Sequence, residues 1–128
     1  MTTPKVLLVD DEEMVISLYK DVLTDAGYIV DSASSGSDAL SKIQQSKFDI
    51  VLLDIMMPEM GGIETLKIIR NEPMLYGQPV VVMLTNIAMA EQIRDANDAG
   101  AEGYLVKLSL SNDQLVEKVD GFLKGFKK

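Results

Sequence analysis

Phe48-Asp49-Ile50-Val51-Leu52-Leu53-Asp54 is the stretch that decides how this chain folds. Four large aliphatic residues stand side by side from Ile50 to Leu53. A strand with one wet face alternates polar and apolar residues; an unbroken apolar run of this length fits a strand covered on both faces, as in a parallel sheet. The run stops at the carboxylate of Asp54, and Pro58 and Gly61-Gly62 then make a loop.

The same unit recurs on either side. Upstream, Lys5 to Val9 is nearly continuous apolar sequence and stops at Asp10-Asp11. Downstream, Pro79 to Leu84 (Pro-Val-Val-Val-Met-Leu) stops at Thr85. Two shorter β-rich runs, Tyr28 to Ala33 and Gly103 to Val106, close at Ser34-Ser35-Gly36 and at Lys107. Helical spacing fills the gaps. Val15, Leu18, Val22 and Leu23 follow the acidic Asp10-Asp11-Glu12-Glu13, whose charges suit a helix amino end, and Gly27 closes that helix. Ser37 to Ser46 turns Ala39, Leu40 and Ile43 inward. Ile63 to Arg70 turns in Ile63, Leu66 and Ile69, and Pro73 and Gly77 break it. A fourth helix runs from Ala88 to Ala99 with Gly100 as its cap, and a fifth from Ser111 to Leu123 with Leu115, Val119 and Phe122 inward. Five β-α units in strict alternation predict an α/β chain: a doubly wound, five-stranded parallel sheet in one domain over residues 1–128.

Composition narrows the function. With no cysteine and no histidine among 128 residues, thiolate nucleophiles, disulfides, zinc-thiolate sites and a Ser-His-Asp triad are excluded. The formal net charge of -8 repels nucleic acid and anionic membrane. No apolar run reaches the ~18 residues of a membrane span, and Met1-Thr2-Thr3-Pro4 lacks the pattern of a signal peptide, so cytoplasmic residence is expected.

In open α/β sheets the site lies beyond the carboxyl ends of the strands. There the strands stop at Asp10-Asp11, Asp54, Thr85 and Lys107. Two carboxylates about 4 Å apart repel by roughly 4 kcal/mol at an effective dielectric of ~20. One lysine offsets only part of that. A hard dication such as Mg²⁺ resolves it and leaves positions open for a phosphate. Asp54 can then act as a nucleophile that forms an acyl phosphate, with Thr85 donating to one phosphoryl oxygen and Lys107 pairing with another. Read singly, these residues have plainer roles. Asp10-Asp11 and Thr85 make helix caps, Lys107 is a solvated lysine, and Tyr104 is packing. The eight methionines read as core filler, with Met89 as part of a partner surface instead, and Lys124, Lys127 and Lys128 as a solvated tail.

Asp10-Asp11, Asp54-Ile55-Met56-Met57-Pro58, Thr85 and Gly103-Tyr104-Leu105-Val106-Lys107, in this order and each at a strand end, resemble the response regulator receiver domains of two-component signalling, in their chemotaxis-regulator form. The resemblance covers essentially the whole chain. It implies a flavodoxin-like (βα)₅ fold with strand order 2-1-3-4-5. It implies Asp54 as phospho-acceptor, and Mg²⁺ or Mn²⁺ held by Asp11, Asp54 and the Met56 backbone carbonyl, with Asp10 holding ligand water. Thr85 is implied as the switch hydroxyl, Tyr104 as the switch aromatic and Lys107 as the phosphoryl-pairing lysine. The chain would not be an enzyme beyond its own phosphorylation and slow self-dephosphorylation. Its partners would be a sensor histidine kinase or histidine phosphotransfer protein and a downstream target on the face of the fourth helix, fifth strand and fifth helix. It would be a monomer or a weak phosphorylation-dependent dimer.

The chain departs from that pattern in two places. Leu108 stands where receivers usually carry proline after the lysine. A non-proline cis bond costs ~3 to 4 kcal/mol, so a trans Lys107-Leu108 peptide and an altered loop are expected. Asn86 stands where a small residue usually follows the threonine. The positions that commonly tune self-dephosphorylation hold the apolar Met56 and Ile87, which predicts a long-lived phosphoryl state. Other functions fit less well. A flavodoxin-type cofactor carrier would not put two aspartates after strand one, and an aspartyl phosphatase would need an acid where Met56 stands. A phosphorylation-independent interaction module with a receiver fold is the remaining alternative.

Overall fold

The computed structural model describes residues 3–126, so Lys127 and Lys128 of the proposed solvated tail lie outside the described residues. Five strands form one all-parallel sheet in the order β2-β1-β3-β4-β5. They are β1 (Lys5–Val9), β2 (Ile29–Ala33), β3 (Ile50–Asp54), β4 (Val80–Thr85) and β5 (Gly103–Val106). The expected doubly wound topology is therefore the observed one. The helices are α1 (Glu13–Asp25), α2 (Gly36–Gln45), α3 (Gly62–Asn71), α4 (Pro73–Tyr76), α5 (Ala90–Asp98) and α6 (Asn112–Phe126).

Continuous apolar strands bury both faces, and side chains alternate across the sheet. Val6, Leu8, Ile50, Leu52, Val82 and Leu84 point to one side, against Val15, Tyr19 and Leu23 of α1 and Leu115, Val119 and Leu123 of α6. Leu7, Val9, Val51, Leu53, Val81 and Met83 point to the other, against Ala39 and Ile43 of α2, Leu66 and Ile69 of α3 and Ala96 of α5. Among the described residues no helix is long and apolar enough to cross a membrane.

Five details differ from expectation. Pro73 and Gly77, read as breakers, bound an extra four-residue helix, α4. Proline suits the first helical position, where its missing N–H would be unpaired anyway, and Gly77 closes the turn at φ 72°. The fourth helix of the sequence reading (α5) starts at Ala90, because Asn86 to Met89 form an exposed loop. On α1, Leu18 is 41% exposed and Tyr19 takes the inward place. The methionines are not mainly core: Met57 and Met83 are buried, whereas Met14, Met56, Met74 and Met89 are exposed. Phe122 packs against the core as expected but is only half-buried.

Candidate functional site

β1 and β3 are neighbours at the point where the strand order reverses, so their carboxyl ends open onto one crevice. Asp10 continues β1, its backbone N–H bonded to Ala33 O at 3.1 Å. Asp54 is the last residue of β3. The chain then turns tightly back: Ile55 N donates to Leu84 O and Gly62 N donates to Ile55 O, both at 2.9 Å. A side chain at Gly62 would put its Cβ 2.0 Å from the Asp54 carbonyl oxygen, so only glycine lets α3 start this close to Asp54.

Lys107 follows β5, its N–H on Thr85 O at 2.7 Å, and its ammonium reaches into the crevice. Its Nζ lies 2.8 Å from Asp10 Oδ2, 2.9 Å from Glu12 Oε1 and 3.2 Å from Asp54 Oδ2. Asp10, Asp54, Thr85 and Lys107 are all buried, and Asp11 is exposed at the mouth. The directed hydrogen bond of Lys107 goes to Glu12. Asp10 Oδ2 and Asp54 Oδ2 are buried beside the same ammonium and have no partner other than this ion pairing. Their other oxygens are used locally: Asp10 Oδ1 accepts from Glu12 N at 2.9 Å, and Asp54 Oδ1 accepts from Met56 N at 3.2 Å.

This crowding shifts both kinds of group. Burial, then the charge of Asp10, push the Asp54 carboxyl up to about 7, against the opposing pull of Lys107 and the Met56 N–H. Burial works against the Lys107 ammonium, but hydrogen bonding to Asp10 and Glu12 and the charges of Asp54 and Asp10 outweigh it and raise its pKa. Such a site has more negative charge than its single lysine balances. Asp10, Asp11 and Asp54 each offer a carboxylate oxygen, all within 4.8 Å of one another. An all-oxygen set of this kind, with two buried oxygens that share one lysine as their only partner, fits a hard divalent cation.

Of the residues singled out from the sequence, Asp10, Asp11, Asp54 and Lys107 thus converge, whereas the Thr85 hydroxyl and Tyr104 are engaged elsewhere. The Thr85 hydroxyl donates to Ile87 O at 2.8 Å, within its own loop. Tyr104 is 41% exposed, its side chain outward. Among the described residues no peptide bond is cis, as expected for Lys107-Leu108; Leu108 takes a left-handed φ of 60°. Its N–H, which a proline would lack, donates to the buried Tyr19 hydroxyl at 3.0 Å. Two participants were not foreseen. By sequence Glu12 is only part of an acidic helix start, and Tyr19 carries no distinguishing mark. Nothing local marks either, since their partners lie 95 and 89 residues away.

Comparison with known proteins agrees with this geometry. The response regulator receiver domain family matches residues 6–120. The chemotaxis protein CheY-3 of Vibrio cholerae is 39% identical over 91% of this chain and 88% of its own length. The gliding motility regulatory protein of Myxococcus xanthus is 32% identical over 91% of this chain, which spans only 15% of that protein's length. A solved structure of the Vibrio cholerae chemotaxis protein CheY4 superposes with a TM-score of 0.87 at 32% identity, covering 94% of this chain and 99% of that one.

Proposed function

The chain belongs to the response regulator receiver domain family, and we propose that it is a phosphorylation-controlled switch whose acceptor is Asp54. One observation carries this reading: Asp54 is 2% exposed, beside Asp10, with an oxygen whose only partner is the Lys107 ammonium. A carboxylate oxygen of Asp54 attacks phosphorus, and an O–P bond forms. The bond from phosphorus to the donor breaks, and the donor leaves with the electron pair. From a phosphohistidine that bond is P–N; having no histidine, this chain requires a separate sensor kinase or phosphotransfer protein to supply the group.

Asp10, Asp11 and Asp54, with the Met56 backbone carbonyl, would hold Mg²⁺ or Mn²⁺, which supplies charge that favours the ionised carboxylate and offsets the phosphoryl oxygens. Lys107 pairs with a phosphoryl oxygen as a point charge. Thr85 exchanges its bond to Ile87 O for one to the phosphoryl group. That exchange reshapes the loop before α5 and lets Tyr104 turn inward, a two-state arrangement that an added charge can bias. The output face is α5, β5 and α6, where Ile87, Met89 and Tyr104 are exposed. Met56 and Ile87 are apolar and exposed and offer no group to orient an attacking water, so the phosphoryl state is long-lived. The reading places the protein in the cytoplasm.

Intact mass after incubation with acetyl phosphate and Mg²⁺ tests the acceptor. A phosphate adduct on the wild type and none on Asp54→Ala is the expected result. No adduct on either, or equal adducts on both, overturns it.

A further inference from the structure

Glu12 stands at the N-cap of α1, where a side chain ordinarily accepts a hydrogen bond from the first turn, yet its carboxylate makes no such bond. Its backbone is fixed instead by Asp10, whose Oδ1 takes the Glu12 N–H. Its carboxylate accepts a hydrogen bond from Lys107 at 2.9 Å, and the same ammonium pairs with the buried Asp10 and Asp54 at 2.8 and 3.2 Å.

An ammonium has three N–H donors, and here it is ringed by Asp10, Glu12 and Asp54. An incoming phosphoryl oxygen must displace one of them. The three differ sharply in what displacement costs. The side chains of Asp10 and Asp54 are 0% and 3% exposed, and that of Glu12 is 52% exposed. Removing the counter-charge from a buried carboxylate is strongly unfavourable, whereas an exposed one returns to water for little.

We propose that Glu12 is a resident counter-anion of Lys107, occupying the place that a phosphoryl oxygen of the donor takes, so that donor entry is an exchange of anions at the lysine. This rests on the reading of Asp54 as phospho-acceptor and adds a positioning residue to it. In the resting protein Glu12 keeps Lys107 paired and sets an electrostatic barrier against small anionic phosphodonors. When the phosphoryl group leaves, the carboxylate returns and the pairing is restored. The chemistry at Asp54 is unchanged: with acetyl phosphate, the O–P bond to Asp54 forms as the bond to the acetate oxygen breaks and acetate departs.

The test is the rate of phosphate incorporation by intact mass, at subsaturating acetyl phosphate with Mg²⁺, for wild type, Glu12→Gln and Glu12→Ala at low and high ionic strength. The glutamine variant keeps shape and hydrogen bonding and removes the charge; the alanine variant removes the group. Both are expected to gain roughly two- to fivefold at low salt, the range of one exposed charge pair. That gain should fade in ~1 M salt, where the screening length falls to about 3 Å. A gain of this kind is not what a merely structural role would produce. Equal or slower incorporation at low salt, or a gain that persists undiminished at high salt, overturns the exchange while leaving Asp54 as acceptor. Absence of an adduct on wild type and variants alike overturns the acceptor reading and the exchange with it.

Discussion

Arg70 and Asp54 are both charged side chains at an end of the same parallel sheet, yet only the first has its hydrogen bonds filled. At the amino end, Arg70 donates to Gly100 O through Nε and Nη2 (3.1 and 3.0 Å), to Pro79 O (2.8 Å) and to Glu102 Oε1 (2.8 Å). Glu102 Oε1 also accepts from Val81 N, and Asp49 Oδ2 accepts from Lys5 N. These groups tie α3 to the ends of α5, β4 and β5, and each oxygen named has a donor. At the carboxyl end, two buried carboxylates share one ammonium, and the oxygens that face it have no other partner. The contrast separates charge used for cohesion from charge left in excess, which a bound cation would offset.

Removing charge should therefore have opposite effects at the two ends. Arg70→Ala strips the donors from Glu102 and two carbonyls and is expected to lower stability by about 3 kcal/mol in urea unfolding. A loss of less than about 1 kcal/mol would break the comparison. Asp54→Asn should stabilise the metal-free protein by about 2 kcal/mol at pH 8, since it removes a buried charge that its surroundings oppose. The sign follows from proton linkage. The folded Asp54 carboxyl holds its proton up to about 7, whereas an ordinary aspartate releases it near 3.8. Between those values the folded state binds more protons than the unfolded state, so wild-type stability falls as pH rises through that window and levels off above it. The asparagine variant should lack this slope, and the two proteins should converge near the acid end of the window in a pH series of urea melts. The smallest effect expected is for Tyr19→Phe, which leaves the Leu108 N–H without its acceptor. It should cost about 1 kcal/mol in the same assay. It should also speed amide exchange at Leu108, which sharpens the view that this loop is held from α1.

Much of the fold was legible because it rests on local periodicity. Runs such as Ile50 to Leu53 and Val80 to Leu84 leave little choice but a sheet covered on both faces, and glycines such as Gly27 and Gly100 marked helix ends, as their positive φ angles bear out. What escaped was set by packing or by competition between near-equal local choices. Leu18 and Tyr19 both fit the face of α1, and the ring of Tyr19 took the core because its hydroxyl could reach the Leu108 N–H across the fold. Pro73 to Tyr76 could be loop or helical turn, and proline at the first position tipped it to a turn. The methionines are flexible enough for core or surface, and composition could not sort them.

By itself the sequence determined which chemical groups stand at the strand ends, because strand periodicity and the β-α alternation place Asp10, Asp54, Thr85 and Lys107 without any knowledge of distances. Only the tertiary structure decided which of them meet, which carboxylates share the one ammonium and that Glu12 joins Lys107. Electrostatic pairing depends on separations of a few ångströms between residues far apart in the chain, and no local pattern encodes that.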